Sequence, residues 1–291
     1  MLPTRLNLIK NSSNLLNKFN YHVGLSWSSK PRLKSEENFK LLQSYKPDHK
    51  IKLWVDEMLS DRKEDFGDAG EDFWFKQSMK GDKGLSLGLA DGVGGWFSAK
   101  IDPSKFSQTL MYYMSISAKV NDINNHTPLN IISDGFKGVL NEDEVKAGSS
   151  TACVLTLNNE TGILKGANIG DSTYLLIRDY KVIESTKQQS HFFNCPFQLS
   201  KLRKGIDKNH INDSVNSADL FETELKNGDC IILFSDGLGD NVFNSEIIQL
   251  LEAVESHLKG SNNPSEKSQA FADTLVSYAK ICMNDEFKVR C

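Results

Sequence analysis

The chain has 291 residues, 39% hydrophobic and 25% charged, with 20 Gly, 7 Pro and a formal net charge of -4. This is the composition of a globular protein of one large domain or two small ones, and it excludes a collagen-like, coiled-coil or largely disordered chain. No apolar run reaches the ~18–20 residues that span a bilayer, and net acidity gives no general attraction for nucleic acid.

Five cysteines, Cys153, Cys195, Cys230, Cys282 and Cys291, show no CxxC spacing. An odd count suits reduced thiols better than a disulfide framework. Cys153 and Cys230 lie in strand-like runs and read as small buried side chains.

Charge is unevenly spread. Of 34 Lys and Arg, six (Arg5, Lys10, Lys18, Lys30, Arg32 and Lys34) precede the first acid, Glu36, leaving 28 against 38 Asp and Glu in the body. Leu8, Leu15, Leu16 and Phe19 share one face of a notional helix. An acid-free, basic, Ser-containing amphipathic leader has the character of a mitochondrial transit peptide. Residues 1–35 are therefore expected to be such a leader, with a mitochondrial matrix address, and residues 36–291 a single domain. Lys10 and Asn7 break the apolar core that a secretory signal needs. Asn-x-Ser/Thr matches such as Asn125 and Asn159 are then chance.

Downstream, residues 50–55 and 72–78 read as short strands, and 85–90 as another entering a glycine-rich turn. Pro103 opens a helix to about Val120, with Phe106, Leu110, Tyr113 and Met114 on one face. Thr127-Pro128 caps a second helix. Strands are expected at 151–157, 162–169, 173–178 and 181–185, separated by turn residues such as Asn158-Asn159 and Asp179-Tyr180. The apolar run 230–234 reads as a central strand. Two stripes, Ile247 to Leu258 and Phe271 to Cys282, predict closing helices. Strand meanders between helix pairs predict one layered α/β domain with antiparallel sheets.

Three acidic clusters fall at strand ends: Glu71-Asp72 before Phe73, Asp91-Gly92 after strand 85–90, and Asp236-Gly237 after 230–234. Carboxylates where buried strands emerge are costly unless something positive compensates them. Mg²⁺ and Mn²⁺, which prefer oxygen ligands, do this well. Each Asp-Gly alone is an ordinary turn; three in this arrangement favour a metal site.

Taken in order, Glu71-Asp72, Ala90-Asp91-Gly92-Val93-Gly94-Gly95, Gly148-Ser149-Ser150-Thr151-Ala152, Asn168-Ile169-Gly170-Asp171-Ser172 and Phe234-Ser235-Asp236-Gly237 resemble the motifs of the PPM family. These are the metal-dependent, type 2C protein serine/threonine phosphatases. Ala90 to Trp96, with His191 to Leu199, looks like the family's mitochondrial branch. The resemblance implies an α/β (α+β), four-layer sandwich: two antiparallel β-sheets flanked by helix pairs. It implies two Mn²⁺ or Mg²⁺ ions, with Asp91 bridging both, the Gly92 carbonyl and Glu71 on the second, and Asp236 on the first. Asp72 would stand beside the ligands. The implied reaction is hydrolysis of phosphoserine and phosphothreonine in phosphorylated mitochondrial proteins by a metal-bridging hydroxide, with Asp91 and Asp236 catalytic. Asp171 is expected to be a buried structural acid bonded to turn amides.

The chain departs from the family pattern at several points. No arginine stands in Phe66 to Gly70, and Val93 replaces a histidine found in many members. His191 is the candidate acid near a motif, with a structural role preferred. The last acidic ligand and its strand are missing before Cys291, so the domain is expected to be C-terminally incomplete, with reduced activity. These departures leave an alternative open: a catalytically impaired regulatory module that binds phosphoproteins. A serine hydrolase built on Gly84-Leu85-Ser86-Leu87-Gly88 is disfavoured, because that elbow needs a strand-to-helix turn at the serine and Ser86 lies inside a strand.

Overall fold

The computed structural model describes residues 18–30, 37, 40, 43–60, 62, 67–203 and 210–285. Its helices are α1 (Lys50–Ser60), α2 (Pro103–Val120), α3 (Pro128–Asn141), the single turn α4 (Asp236–Gly239), α5 (Asn244–His257) and α6 (Pro264–Asn284). The longer strands are β1 (Phe73–Ser78), β2 (Gly84–Ala90), β4 (Ala152–Asn158), β5 (Ile163–Ile169), β6 (Thr173–Arg178), β7 (Lys181–Ser185), β11 (Asp219–Glu224) and β12 (Cys230–Phe234). Short strands β3 (Gly148–Ser150), β8 (Ser190–Phe192), β9 (Cys195–Pro196) and β10 (Leu199–Lys201) complete the set among the described residues.

Capping residues fix the helix starts. Asp102 accepts from the Ser104 amide with proline at the first turn of α2, and Thr127 and Asn130 form a reciprocal box at the start of α3. Among the described residues the strands form a five-stranded sheet in the order β1-β2-β4-β5-β11 and a three-stranded sheet in the order β12-β6-β7, with the pairs β10-β3 and β8-β9 beside them. All pairings are antiparallel.

Three apolar cores stack through the molecule. Phe106, Leu110 and Met114 of α2, with Ile131 and Ile132 of α3, cover the outer face of the five-stranded sheet. Cys153, Leu155 and Leu164 meet Tyr174 and Leu176 between the sheets. Ile247, Leu251, Phe271 and Leu275 of α5 and α6 cover Leu175, Ile177 and Ile232 on the far side. The four-layer order is therefore helix pair, sheet, sheet, helix pair, as expected.

Two local readings are corrected. Residues 50–55 open a helix, not a strand: Ile51, Val55 and Leu59 repeat at four-residue spacing and bury one face of α1. The apolar run 230–234 forms β12 at the edge of its sheet, not at its centre; its apolar character comes from packing on both faces, against α5 and α6 and against the inter-sheet core.

Most of the expected leader, residues 1–17 and 31–35, lies outside the described residues. Residues 18–30 run as a strap along the body without sheet pairing. Phe19 and Tyr21 pack into the inter-sheet core, and Trp27 is buried against Trp74 with ring centroids 4.7 Å apart.

Candidate active site

The loop after β2 is held by the chain that follows α3. The Asp91 amide donates to Thr151 Oγ1 at 3.0 Å, while the Asp91 carbonyl accepts from the Thr151 amide at 3.0 Å and from Ser150 Oγ at 2.7 Å. Ser149 accepts from Trp96 Nε1 at 2.7 Å and donates to Gln198 Oε1 at 2.6 Å. Thr151 Oγ1 also meets Ser172 Oγ at 3.0 Å. The motifs at 90–96, 148–152 and 168–172 are thus one interlocked unit whose effect is to fix the backbone of Asp91.

Gly92 is required here for space. A Cβ at that position would stand 2.7 Å from the Glu71 carbonyl oxygen and 2.9 Å from that of Pro103. The Gly92 amide donates to the Glu71 carbonyl at 3.2 Å, so the close approach also ties Glu71 to the loop. Gly170, at φ +108°, allows the turn that carries Asp171.

Glu71, Asp72, Asp91, Asp171 and Asp236 line one end of a cleft of about 2000 Å³. They arrive from both sheets: Glu71, Asp72 and Asp91 from the ends of β1 and β2, Asp171 from the β5–β6 turn, and Asp236 from the end of β12. Ser235 Oγ donates to Asp72 Oδ2 at 2.8 Å and ties the two sheets together at this point.

The electrostatics are those of an under-compensated anionic cluster. Burial, with repulsion from Asp236 and Glu71, lifts Asp72 to about 6 against the pull of hydrogen bonds from Ser235 and Asp91. Burial, then the carboxylates of Asp72, Asp236 and Asp171, hold Asp91 well above the ordinary carboxylate range. Asp171 rises to about 6, through burial and then Asp236. Asp240, four residues beyond Asp236, shifts upward for the same two reasons.

No three His, Cys, Asp or Glu side chains among the described residues converge as ligands on a single point. The acids share a cleft and a field, and Asp91 lies within hydrogen-bonding reach of Asp72 and Asp236. Their chemistry suits hard divalent cations: oxygen donors only, half-buried, and in excess of nearby positive charge. Asp171 Oδ1 is buried without a hydrogen-bond partner, in a residue that lines the same cleft.

The structure thus brings Glu71, Asp91, Gly92 and Asp236 to one place, with Asp72 beside them. Asp171 keeps a bond from its own turn amide, as expected of a structural acid, while its Oδ1 is left without a partner and Asp236 repels its charge. The sequence signal was its position between strands 162–169 and 173–178, the same strand-exit placement as the other acids. His191 lies elsewhere. Its Nε2 meets Asp213 Oδ2 at 3.0 Å, and its ring stacks on Phe197 at 4.3 Å between centroids. Ser86 is buried in β2 and donates to the Leu155 carbonyl at 3.0 Å, with no strand-to-helix turn.

No family model matches the chain. A Drosophila willistoni protein named protein phosphatase PTC7 homolog fig is 34% identical over 211 residues, which cover 72% of this chain and 65% of that protein. The PTC7 homolog of Danio rerio is 34% identical over 192 residues, 66% of this chain and 65% of that one. The chain therefore spans just under two thirds of the length of these curated relatives. Among solved structures, the photosystem II phosphatase PBCP is similar with a TM-score of 0.58 and 31% identity over 76% of each chain. With this identity spread over a shared sandwich fold, the chain belongs to the PPM (type 2C) protein phosphatase family.

Proposed function

We propose that this protein hydrolyses phosphoserine and phosphothreonine in proteins, using divalent cations held by the acids at the end of its cleft. The observation that carries this reading is the gathering of four carboxylates from both sheets around a backbone-anchored Asp91. In the assignment implied by the sequence, Asp91 would reach both Mn²⁺ or Mg²⁺ ions, Asp236 the first, and Glu71 with the Gly92 carbonyl the second. Asp171, with its orphaned oxygen, adds a further anionic donor beside Asp236. When bound, such ions act as Lewis acids and lower the pKa of a coordinated water, supplying a nucleophile without a covalent phosphoenzyme.

The protein's own contribution is placement. The Thr151 and Ser150 bonds fix the Asp91 backbone, so the carboxylate is aimed before any substrate arrives. Ser235 holds Asp72 and keeps the ends of β1 and β12 in register across the cleft. Ser86 is enclosed in the sheet, and burial pushes the Cys230 thiol up to about 12, so neither is an available nucleophile.

The basic, acid-free stretch before Glu36 supports a mitochondrial site of action on phosphorylated proteins there. Fusing residues 1–35 to a reporter tests the address: matrix import supports it, and a cytosolic reporter removes it. The activity is tested by phosphate release from a phosphoserine peptide. Release with Mn²⁺ or Mg²⁺ that stops on chelation is the expected result. Binding of the peptide without release would favour the regulatory module instead.

A further inference from the structure

Strands β8 and β9 form a hairpin whose tip is aromatic and bare. Phe192 pairs with Cys195, which leaves Phe193 and Asn194 as a two-residue turn, with Asn194 at φ +55°. Turns of this length ordinarily carry Gly, Asn or Asp. Here Phe193 is 97% exposed and Phe192 65%, so two adjacent aromatic rings stand in solvent. A single exposed apolar side chain is ordinary on a surface, but a phenylalanine pair at a tight turn buries almost nothing within the fold. The root of the hairpin is held to the turn that carries Asp171. Gln189 donates its amide to the Gly170 carbonyl at 3.0 Å, accepts from the Gly170 amide through Oε1 at 3.1 Å, and donates through Nε2 to the Ser217 carbonyl at 3.0 Å. The chain returning from the hairpin is pressed against the same turn: a Cβ on Gly170 would stand 2.8 Å from the Phe197 carbonyl oxygen. Asn194 and Pro196 line the cleft that also holds Asp91, Asp171 and Asp236.

We propose that Phe192 and Phe193 are a docking site for an apolar segment next to the phosphorylated residue of a protein substrate, and so set a preference among phosphoproteins. The inference rests on the reading of the cleft as a phosphatase site. Because Asn194 and Pro196 share that cleft with the acids, a segment lying in it with its phosphate at the cation site can rest a neighbouring side chain on the two rings. An aromatic pair on a braced hairpin offers apolar area at little entropic cost. Fully covered, two phenylalanines bury about 300–500 Å², well below the ~800 Å² per partner of a stable protein interface. That area suits a short peptide segment and not a second copy of the chain. Composition argues against a lipid surface or an acidic ligand. Residues 188–200 contain no Lys or Arg to meet lipid phosphates or acidic side chains, and the one histidine among them, His191, is paired with Asp213 at 3.0 Å.

The test is Mn²⁺-dependent phosphate release by the full chain from matched phosphoserine peptides that carry either leucines or serines on both sides of the phosphoserine. Wild type, Phe192→Ser, Phe193→Ser and Phe193→Leu are compared. Wild type should prefer the leucine peptide by roughly tenfold in kcat/KM, through a lower KM. Either serine variant should lose most of that preference, while Phe193→Leu keeps it. Hydrolysis of p-nitrophenyl phosphate, which has no flanking segment, reports the cation site separately from the hairpin. Equal kcat/KM for the two peptides in wild type, or a preference that survives both serine variants, overturns the role of the hairpin and leaves the phosphatase reading standing. Sedimentation of wild type with phosphatidylcholine vesicles that Phe193→Ser abolishes overturns it in favour of a lipid surface. If wild type releases no phosphate from any of these substrates, the phosphatase reading falls, and fluorescence anisotropy of the labelled peptides decides the hairpin. Tighter binding of the leucine peptide, lost in Phe193→Ser, then supports the docking site, and equal binding overturns it.

Discussion

Ser235 and Asp72 are 163 residues apart and share a hydrogen bond of 2.8 Å across the two sheets. Ser235 precedes the single turn α4, where a serine would ordinarily cap the helix, yet its side chain makes no capping bond there and serves Asp72 instead. The bond lowers the proton affinity of a carboxyl that burial raises. Ser235→Ala should therefore leave Asp72 harder to ionise and the cleft less well held. The expected result is a loss of about 1–2 kcal/mol in urea unfolding together with weaker Mn²⁺ binding. Unchanged values of both would show that the bond has no role at the site.

The pH dependence follows from the acids. Asp72 and Asp171 both titrate near about 6 in the fold, above the ordinary carboxylate value of 3.8. A carboxyl whose folded pKa is raised costs nothing below about pH 4, where both states hold the proton, and destabilises the fold as pH climbs through about 6. The metal-free protein should therefore be less stable at about pH 7.5 than at about pH 5, by on the order of 2 kcal/mol for each such group. Divalent cations should reverse most of the loss at the higher pH. Melting curves with chelator or with Mn²⁺ across this range test the point, and a chelated protein that gains stability towards pH 7.5 would contradict it.

The strap makes a prediction about the N-terminal boundary. Trp27 is 7% exposed and stacks on Trp74, while Tyr21 donates to the Asn158 carbonyl at 2.9 Å. Trp27→Ala should cost about 3 kcal/mol in unfolding free energy, the range for an aromatic cut from a core. A Trp27→Ala protein as stable as wild type would mean that the strap merely rests on the surface.

The legible part of the fold was the part whose pattern is local. Asp102-Pro103 and Thr127-Pro128 announce their helices through caps, and the turn at Asn158 to Gly162 separates β4 from β5 as expected. Helix α1 was misread because Ile51, Trp54 and Val55 have strand propensity, while the deciding fact is that Ile51, Val55 and Leu59 align over three turns. Phe19, Tyr21, Val23, Leu25 and Trp27 alternate at period two, a signal of an extended segment that the basic charge of the leader overshadowed. At the site, Glu71, Asp91 and Asp236 were legible as strand-exit acids. The environment of Asp171 was not, since an unpartnered oxygen depends on what packs around it. The path of the strap over α6, where Leu25 bonds to Gln269, depends on long-range contacts that no local pattern encodes.

The measurement that bears most directly on the site is a paired one on Asp91→Asn: Mn²⁺-dependent hydrolysis of a phosphoserine peptide, and thermal stability in chelator. Losing this carboxylate should lower turnover by about 100-fold or more, because an anionic ligand is gone. It should leave the metal-free fold as stable or more so, because a buried, repelled charge is gone with it. Near-normal Mn²⁺-dependent turnover in Asp91→Asn would contradict the assignment of the cluster as the catalytic cation site.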